Sequence, residues 1–330
     1  MKILIPGGAG FIGTNLTKRL LTDGHTVTIW DNFYTGRKTN LCTLANELHP
    51  PGSDGDTPYQ LSEVDIRFRD HRWDDVNPDV IINLACPASP PHYQSDPVYT
   101  WETSILGIHN LCQLAMRKNA ILLHASTSEV YGDPKEHPQR ETYWGNVNPV
   151  GSRSCYDEGK RAAETLCMDY KRFKGLDARL FRIFNTYGRY MRTDDGRVIS
   201  NFCVQAARGE ELTVYGDGSQ TRSFCYVDDL VQGIVALMLA PREKISGPIN
   251  MGNPHEFTIK ELVEVIARTS GKILKMRNLP LPSDDPKIRR PDITLAEKLL
   301  GWHPKIELGE GIETTYAYFA EMVKSESSHV

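Results

Sequence analysis

Two groups of chemically reactive side chains lie near one another in the middle of the sequence. The first is the run Ser-Thr-Ser-Glu at 126–129, and the second is Tyr156 with Lys160 four residues later. Positions i and i+4 of a helix share a face, so the phenol and the ammonium can meet. A nearby cation favours the phenolate of a tyrosine, whose ordinary pKa is about 10. Tyr156 is therefore a candidate general base, and Thr127 is placed to bind a substrate hydroxyl. The same spacing also occurs on solvated helix faces, so it leaves both interpretations open.

The N-terminal residues predict a site for a dinucleotide. Three glycines at intervals of three, Gly7, Gly10 and Gly13, follow a short apolar strand and precede a helix. Glycines in this place allow a tight turn and a close backbone approach, and the helix offers free N–H groups to a pyrophosphate. The next predicted strand ends on Asp31, an acid that suits the two ribose hydroxyls of NAD and repels an extra 2′-phosphate. The order of these parts predicts bound NAD.

The rest of the hydrophobic pattern alternates between strands and helices, which predicts an α/β fold. We expect a Rossmann-type doubly wound parallel sheet with a smaller, mixed C-terminal lobe. The NAD-binding domain is predicted at 1–184 plus 224–254, and the substrate-binding lobe at 185–223 plus 255–330. The further predicted strands are 64–70, 79–89, 121–132, 178–185 and 248–252, and the helices are 98–118, 156–174, 228–239 and 258–271, with two more helices in the tail.

Ligands of open parallel sheets bind at the carboxyl ends of the strands, so Thr127 and Glu129 are expected to face the cofactor crevice. Asp70 would end the strand 64–70 where the adenine lies. Residues around 43–62 read as a surface insertion. Arg222 and Arg289 are either solvated surface arginines or bidentate clamps for a phosphate or carboxylate.

Composition excludes several classes. The chain has 330 residues, a formal charge of −4 and 40% hydrophobic residues, and no apolar run long enough to span a bilayer. We therefore expect neither nucleic-acid binding nor a membrane anchor. Seven scattered cysteines without a CxxC pair predict reduced thiols in the cytoplasm, with no disulfide framework and no metal site. Cys155, beside Tyr156, is interpreted as a core thiol rather than a nucleophile.

Sequence motifs from one end of the chain to the other resemble those of a known family. They are GGAGFIG, DNFYTGRK, LACPASPPHY, STSEVYGDP, YWGNVNP, SCYDEGKR, RIFNTYG, DGRVISNF, LTVYGDGSQTRSF and RRPDI. In this order they resemble the extended short-chain dehydrogenases/reductases that act on nucleotide sugars, and more narrowly the UDP-glucuronate decarboxylases (UDP-xylose synthases).

The resemblance implies three sets of site residues. The implied catalytic residues are Thr127, Ser128, Glu129, Tyr156, Lys160 and Arg289. The implied NAD-binding residues are Gly7, Gly10, Phe11, Ile12, Gly13, Asp31, Asn32, Tyr34, Thr35, Gly36, Asp70, His71, Leu84, Ala85, Thr103, Tyr156, Lys160, Thr186 and Arg197. The implied UDP-sugar-binding residues are Pro87, Tyr93, Glu102, Asn185, Asn201, Tyr215, Gln220, Arg222 and Arg289.

The reaction implied by the resemblance oxidises C4 of UDP-glucuronate, releases CO2 from the 4-keto acid, and returns the hydride to C4. NAD is then recycled and stays bound. Ser128 stands where the related 4,6-dehydratases have an acid, and sugar 4-epimerases usually lack the glutamate. The chain departs from the family at Pro6, Glu102 and the pair Arg189-Tyr190. Glu102 stands where a lysine is common, and this departure bears on the product more than on the reaction class.

Three other functions stay open at this point. They are a decarboxylase that releases the UDP-4-keto pentose with NADH, a UDP-sugar 4-epimerase, and a cofactor-sensing binding protein on the same fold. Apolar residues on helix 98–118 and on the helix after Tyr156 fit the homodimer that this superfamily forms through a four-helix bundle. They fit ordinary core packing equally well.

Overall fold

A seven-stranded parallel sheet forms the centre of the structure, a computed structural model that describes residues 1–49, 57–280 and 288–327. The strands of the central sheet and of the smaller pairs are, in chain order, β1 (Lys2–Pro6), β2 (Thr26–Asp31), β3 (Gln60–Glu63), β4 (Val80–Asn83), β5 (Ile121–Thr127), β6 (Ala178–Ile183), β7 (Thr186–Tyr187), β8 (Leu212–Tyr215), β9 (Thr221–Ser223), β10 (Cys225–Tyr226), β11 (Ile249–Met251), β12 (Glu256–Thr258) and β13 (Met276–Leu279). The central sheet has the order β11-β6-β5-β4-β1-β2-β3.

Helices cover both faces of this sheet and contribute to a smaller lobe beside it. They are α1 (Phe11–Thr22), α2 (Lys38–Leu48), α3 (Arg72–Asp75), α4 (Pro90–Ser95), α5 (Pro97–Glu102), α6 (Ile108–Lys118), α7 (Ser154–Lys174), α8 (Val198–Arg208), α9 (Val227–Leu239), α10 (Ile259–Ser270), α11 (Thr294–Leu300) and α12 (Leu308–Ser327). A π-helical turn, Thr103–Gly107, joins α5 to α6, so the helix predicted at 98–118 is present with an irregular centre. Short 3-10 turns lie at Ser128–Tyr131 and Arg242–Lys244.

The alternation of side chains along β1 shows how the two faces are built. Ile3 and Ile5 belong to one buried apolar cluster, and Leu4 between them belongs to the other. Successive side chains of a strand point to opposite faces, so a wholly apolar strand must be covered on both. Helices α1 and α9 pack on the first face, and α6 and α7 pack on the second. The predicted doubly wound sheet is confirmed.

The strand order reverses direction beside β1. The chain passes from β1 to β2 and β3 on one side and then crosses to β4 on the other. The loops after β1 and β4 therefore diverge and leave a crevice at the carboxyl ends of these strands, where open α/β sheets bind their ligands. Beyond the sheet, three two-stranded pairs (β7 with β10, β8 with β13, β9 with β12) and helices α8, α10 and α12 build the smaller lobe.

One predicted strand was wrong. The alternating residues 64–70 are not a strand; β3 precedes them and ends at Glu63, where it pairs with Asp31 at the end of β2. The N–H of Val64 still donates to the carbonyl of Asp31 (3.2 Å), the last residue of β2, and Asp65 then forms a local ion pair with Arg67. The alternation of Val64 and Ile66 reflects burial of these two side chains in a loop.

The segment predicted as a surface insertion is helical over its first part, because α2 extends to Leu48, and residues 50–56 lie outside the described residues. The prediction was wrong for its last residues, which belong to β3 at the edge of the central sheet. The loop predicted before the two C-terminal helices lies partly at 281–287, which the structure also does not describe. All seven cysteines are free thiols. Among the described residues, none of the helices is both long and apolar enough to cross a membrane.

Candidate active site

A cavity of about 720 Å³ opens at the carboxyl ends of the parallel strands, between the sheet and the smaller lobe. Its lining includes all of the site residues proposed from the sequence except three, which are Asp70, His71 and Glu102. This size is within the range of protein sites for small molecules and cofactors. The glycine turn, the hydroxyl cluster and the Tyr156–Lys160 pair, which are far apart in sequence, therefore share one cavity.

The glycine turn is as tight as the sequence pattern requires. Gly7 has a φ of +81°, and a β-carbon at this position would lie 2.6 Å from the carbonyl carbon of Leu84. A β-carbon on Gly13 would collide with the carbonyl oxygen of Gly7. The backbone of β1, the loop after β4 and the start of α1 can pack this closely only because side chains are absent. The N-terminus of α1 thus borders the cavity with open backbone N–H groups, which fits a pyrophosphate.

Asp31 lines the same end of the cavity. Its carboxylate accepts hydrogen bonds from the backbone N–H groups of Ala9 (2.9 Å) and Phe33 (2.8 Å). Burial raises the pKa of Asp31, and these two N–H groups act in the opposite direction. Gly36 must lack a side chain here, because a β-carbon would lie 2.5 Å from the Asp31 carboxylate. A fixed carboxyl group beside the glycine turn fits the ribose hydroxyls of NAD and disfavours a 2′-phosphate.

Asp70 and His71 do not reach this cavity. Asp70 forms an ion pair with Arg72 two residues later, and His71 adjoins the short helix α3. The sequence-based prediction put Asp70 at the end of a strand over 64–70. The strand β3 instead ends at Glu63, seven residues before Asp70, so Asp70 does not lie at the edge of the sheet where ligands bind. Asp65, just beyond that end, lines the cavity in its place and accepts a hydrogen bond from Asn32 (3.0 Å).

Glu102 also lies outside the cavity lining. Its carboxylate pairs with Arg67 at 2.7 Å. The Arg67 guanidinium lies 4.2 Å from the ring centroid of Tyr99, and Tyr99 stacks on Tyr34 with 4.1 Å between centroids. Both tyrosines line the cavity. The contact of Glu102 with the site is therefore indirect, because it orients the arginine behind an aromatic wall.

Tyr156 is buried near the centre of the cavity wall. Its ring is stacked on that of Tyr93, with centroids 4.9 Å apart and planes 5° apart. Burial raises the pKa of the Tyr156 phenol well above its usual value, and a hydrogen bond with Thr127 acts in the opposite direction. Without a ligand the phenol is therefore protonated.

Lys160 is one helical turn from Tyr156 on α7, as expected. Its ammonium donates a hydrogen bond to the carbonyl of Ala125 (2.9 Å) and lies 5.8 Å from the centroid of the Tyr156 ring. This bond attaches α7 to β5 and fixes the cation beside the phenol. The sequence-based prediction was a Tyr156 phenolate held by Lys160. In the ligand-free chain, burial instead raises the pKa of the phenol, so the phenolate is not favoured.

Glu129 is the centre of a charged cluster at the end of β5. Its carboxylate lies 2.7 Å from the guanidinium of Arg153 and 3.4 Å from that of Arg289. Burial raises the pKa of Glu129, but the two arginines outweigh burial and hold this pKa below its usual value. The cluster therefore combines an ionised carboxylate with two cations that border the cavity, an arrangement suited to a ligand that carries a carboxylate.

Two members of this cluster were missed by the sequence-based reasoning. Arg153 lines the cavity and lies three residues before Tyr156, so the i, i+3 spacing of neighbours on a helix face would have indicated it. Asp157 is buried beside it, and burial, followed by the charge of Glu129, raises its pKa to about 7. The sequence offers no comparable signal for Asp157, since its pKa depends on groups brought near by the fold.

Comparisons with known proteins agree with this geometry. A family described as the NAD dependent epimerase/dehydratase family matches residues 3–252. The chain belongs to this family. It is 48% identical over 328 residues to UDP-glucuronic acid decarboxylase 1 of Danio rerio, covering 99% of this chain and 75% of that protein. It is 49% identical over 331 residues to UDP-glucuronic acid decarboxylase 1 of Arabidopsis thaliana, covering 99% of this chain and 71% of that protein.

Solved structures of epimerase/dehydratase proteins have the same fold. A UDP-glucuronic acid 4-epimerase from Bacillus cereus, in complex with UDP-glucuronic acid and NAD, is 27% identical with a TM-score of 0.85, covering 98% of this chain and 100% of that one. A UDP-glucose 4-epimerase from Thermotoga maritima, with UDP-glucose, is 26% identical with a TM-score of 0.86 and the same coverage. NAD is the cofactor of this family, and the glycine turn and Asp31 fit it.

The pair Arg189-Tyr190 has a local structural role. Arg189 pairs with Glu47 on α2, and its carbonyl accepts a hydrogen bond from Asn15 on α1 (3.0 Å). Tyr190 has a φ of +71° and lines the cavity. These contacts join the loop to the two helices that follow β1 and β2, on the cofactor side of the site.

Proposed function

We propose that this chain converts UDP-glucuronate to UDP-xylose and CO2 through a UDP-4-keto intermediate, with NAD tightly bound and regenerated in each cycle. The observation that carries the proposal is the position of Glu129, between Arg153 and Arg289 and on the same strand end as Thr127, beside Tyr156. Groups suited to oxidise a hydroxyl thus border groups suited to hold a carboxylate. The 48–49% identity to proteins named UDP-glucuronic acid decarboxylase supports the same reaction.

Tyr156 is proposed as the base that takes the proton of the C4 hydroxyl, with Thr127 hydrogen-bonded to the phenol. Lys160 stabilises the phenolate through its fixed charge. When bound, NAD supplies the acceptor for the C4 hydride, returns that hydride later, and brings a positive nicotinamide ring that favours the phenolate. The burial of Tyr156 keeps water away from the reacting atoms.

At the carboxylate end, oxidation at C4 leaves the carboxylate β to a ketone. The bond between C5 and C6 then breaks, its electron pair passes into the C4 carbonyl to form an enolate, and CO2 leaves. A proton is added at C5 before C4 is reduced again. We assign Arg289, Ser128 and Glu129 to this end of the substrate. Ser128 carries no acidic proton suited to expel water, so dehydration is not favoured.

The remaining assignments divide the cavity between its two ligands. We propose that residues 1–184 and 224–254 bind mainly NAD, and that residues 185–223 and 255–330 bind mainly the UDP-sugar. The proposed uridine and phosphate contacts are those predicted from the sequence that line the cavity in the smaller lobe, namely Asn185, Asn201, Tyr215, Gln220 and Arg222. Thr186 and Arg197 are proposed to reach NAD from the smaller lobe.

The test is incubation of the purified protein with UDP-glucuronate, followed by CO2 measurement, NMR of the sugar product and nicotinamide absorbance. The expected result is stoichiometric CO2, UDP-xylose and no net NADH. Epimerisation at C4 without CO2 would refute the proposal in favour of a 4-epimerase. CO2 with equivalent NADH and a UDP-4-keto pentose would instead identify the non-returning decarboxylase.

We propose a homodimer formed by the helices α5, α6 and α7 of each copy. Support comes from apolar side chains left exposed on this surface, namely Trp101 at 40%, Leu106 at 46% and Phe173 at 78%. Leu106→Glu should convert a dimer to a monomer in light scattering, whereas Leu239→Glu, a comparably exposed leucine on α9, should not. A wild-type monomer would contradict the proposal.

We also propose a cytoplasmic location, supported by seven free thiols and testable by cell fractionation.

A further inference from the structure

Arg289 lies on a segment with almost no regular structure. Residues 288–292 form only a single β-bridge, between Pro291 and Gln139. The Arg289 side chain is nevertheless 3% exposed, and its guanidinium donates to the carbonyl of Gly132 (3.0 Å) and to that of Ser128. A long side chain on irregular backbone needs other contacts to hold it in one position, since ordering it costs conformational entropy.

Gln139 supplies the first of these contacts. It is fully buried, and its side-chain Oε1 accepts a hydrogen bond from the backbone N–H of Arg290 (2.8 Å). Its own backbone N–H donates to the carbonyl of Arg290 (2.9 Å), and its carbonyl accepts from the N–H of Asp292 (2.9 Å). One residue thus pairs with the chain immediately after Arg289 through three hydrogen bonds.

Asn250, on β11, supplies the second contact. It is fully buried as well, and its side-chain Nδ2 donates to the carbonyls of Gln139 and Asp292, both at 3.0 Å. Its Oδ1 accepts from the hydroxyl of Tyr131 (2.7 Å). The Asn250 amide uses both its donor nitrogen and its acceptor oxygen, so its orientation is fixed by its neighbours.

The contacts continue into the sheet beneath the site. The Tyr131 hydroxyl accepts a hydrogen bond from Arg182 on β6 (2.8 Å). Arg182 forms a two-pronged ion pair with Glu164 on α7, at 2.9 and 2.7 Å. Glu164 accepts from Ser126 on β5 (2.5 Å). The segment of Arg289 is thus connected by buried polar contacts to β5, the strand that immediately precedes Ser128 and Glu129.

We propose that Gln139 and Asn250 are positioning residues, which place the Arg289 guanidinium for the loss of CO2 and have no part in the oxidation at C4. Neither side chain lines the cavity, so neither touches the substrate. The residues assigned to oxidation, Tyr156 and Thr127, lie on α7 and β5 instead. This inference rests on the proposed function. The hydrogen bonds of Gln139 and Asn250 hold the segment of Arg289, and the contacts through Tyr131, Arg182 and Glu164 join that segment to β5 and α7.

The test uses Gln139→Leu in the full chain with bound NAD. This change removes the acceptor for the Arg290 N–H and leaves a buried donor unpaired. In single-turnover experiments with UDP-glucuronate, nicotinamide reduction should stay within about threefold of wild type. Release of CO2 should fall on the order of 100-fold, the effect of a displacement of about 1 Å in a catalytic group, and UDP-4-keto-glucuronate should accumulate.

Gln205→Leu is the matched control. The Gln205 side chain likewise accepts a hydrogen bond from a backbone N–H, that of Thr213 (3.1 Å), but it lies outside the segment that carries Arg289. It should leave the ratio of CO2 release to oxidation unchanged. Equal losses of both steps in Gln139→Leu, or no loss of CO2 release, would overturn the inference.

Ser223→Ala provides a milder variant that applies the same criterion if Gln139→Leu does not fold. Ser223 donates a hydrogen bond to the carbonyl of Arg289 (3.2 Å), and its loss should lower CO2 release more than oxidation. A proportional loss of both would again overturn the inference. The wild-type reaction separates the two proposals, because a wild type that releases no CO2 refutes the function itself.

Discussion

Replacement of Arg153 by methionine tests whether the charge balance around Glu129 controls the reaction. The change keeps an unbranched stem and removes the guanidinium that lies 2.7 Å from the Glu129 carboxylate. Of these two ion-pair partners of Glu129, Arg289, at 3.4 Å, then remains. In the wild type, the ionised Glu129 carboxylate orients the guanidiniums of Arg153 and Arg289. Protonation of Glu129 removes this ionic contact, so we expect it to lower the rate at which CO2 is released.

The size of the effect follows from the two charges. A cation within hydrogen-bonding distance lowers a carboxyl pKa by about 1–3 pH units. Because Glu129 and Arg153 are each 18% exposed and Arg289 remains, we take the lower part of this range. Loss of Arg153 should raise the pKa of Glu129 by about 1–2 pH units, or about 1.4–2.8 kcal/mol.

Asp157 should change in the same direction, because Arg153 also lowers its pKa, which is about 7 in this structure. The two carboxyl groups influence each other, so the apparent pKa values seen in kinetics belong to the pair. The acid limb of a plot of log rate of CO2 release against pH should therefore move to higher pH in Arg153→Met. Activity at acidic pH should fall relative to wild type, while activity at alkaline pH is retained.

Arg172→Met is the control for this experiment. Arg172 is on the same helix and pairs with Asp169 at 2.6 Å, far from the cavity and half exposed. Its pH profile should match that of wild type. An acid limb that stays in place in Arg153→Met, or one that moves equally in both variants, would refute the reasoning about Glu129.

Three further predictions concern other parts of the molecule. Tyr156→Phe should reduce turnover by at least about 100-fold through loss of the base, yet retain NAD in gel filtration; near-normal turnover would contradict the assignment. Tyr99→Ala should remove the partner of Tyr34 in the cavity wall and weaken NAD retention by about tenfold, at ~1.4 kcal/mol for a lost stacking contact; unchanged NAD content after dilution would contradict it. His124 is fully buried and lies in the field of Lys160, so burial, and then that charge, hold its pKa well below 6.5. The unfolded chain therefore binds more protons below pH ~6.5, and His124→Leu should gain stability relative to wild type as the pH falls, by up to about 1.4 kcal/mol per pH unit; parallel urea midpoints at pH 7.5 and 5.5 would contradict this.

The parts of the site that sequence could predict are those determined by neighbours along the chain. Gly7, Gly13 and Asp31 occupy one βαβ unit, so their spacing alone defines the turn and the acid. Tyr156 and Lys160 are one helical turn apart. The strand at 64–70 failed for the opposite reason. Its length is set by β2, which ends at Asp31, and a local alternation of apolar residues contains no information about where a partner strand ends.

The pKa values and the support of Arg289 also depend on distant residues. Arg290 meets Gln139 across 151 positions of sequence, and Asn250 meets Gln139 across 111. A sequence motif of a few residues cannot predict contacts between residues this far apart in the chain. The burial that raises the pKa of Tyr156 is likewise a property of the folded chain, which is why the sequence alone suggested a phenolate.

The residues assigned to oxidation and those assigned to the carboxylate are held in place by different kinds of structure. The residues assigned to oxidation lie on adjacent regular elements, β5 and α7, joined by the bond from Lys160 to Ala125. The residues assigned to the carboxylate come from three places: the 3-10 turn after β5, the N-terminal end of α7, and the irregular segment of Arg289. The first set can be maintained by secondary structure, whereas the second is maintained by buried side chains such as Gln139 and Asn250. A change in those side chains could therefore leave oxidation and NAD binding intact and alter only what happens to the 4-keto acid. In this chain, the outcome of the reaction depends on tertiary contacts that its catalytic motifs do not contain.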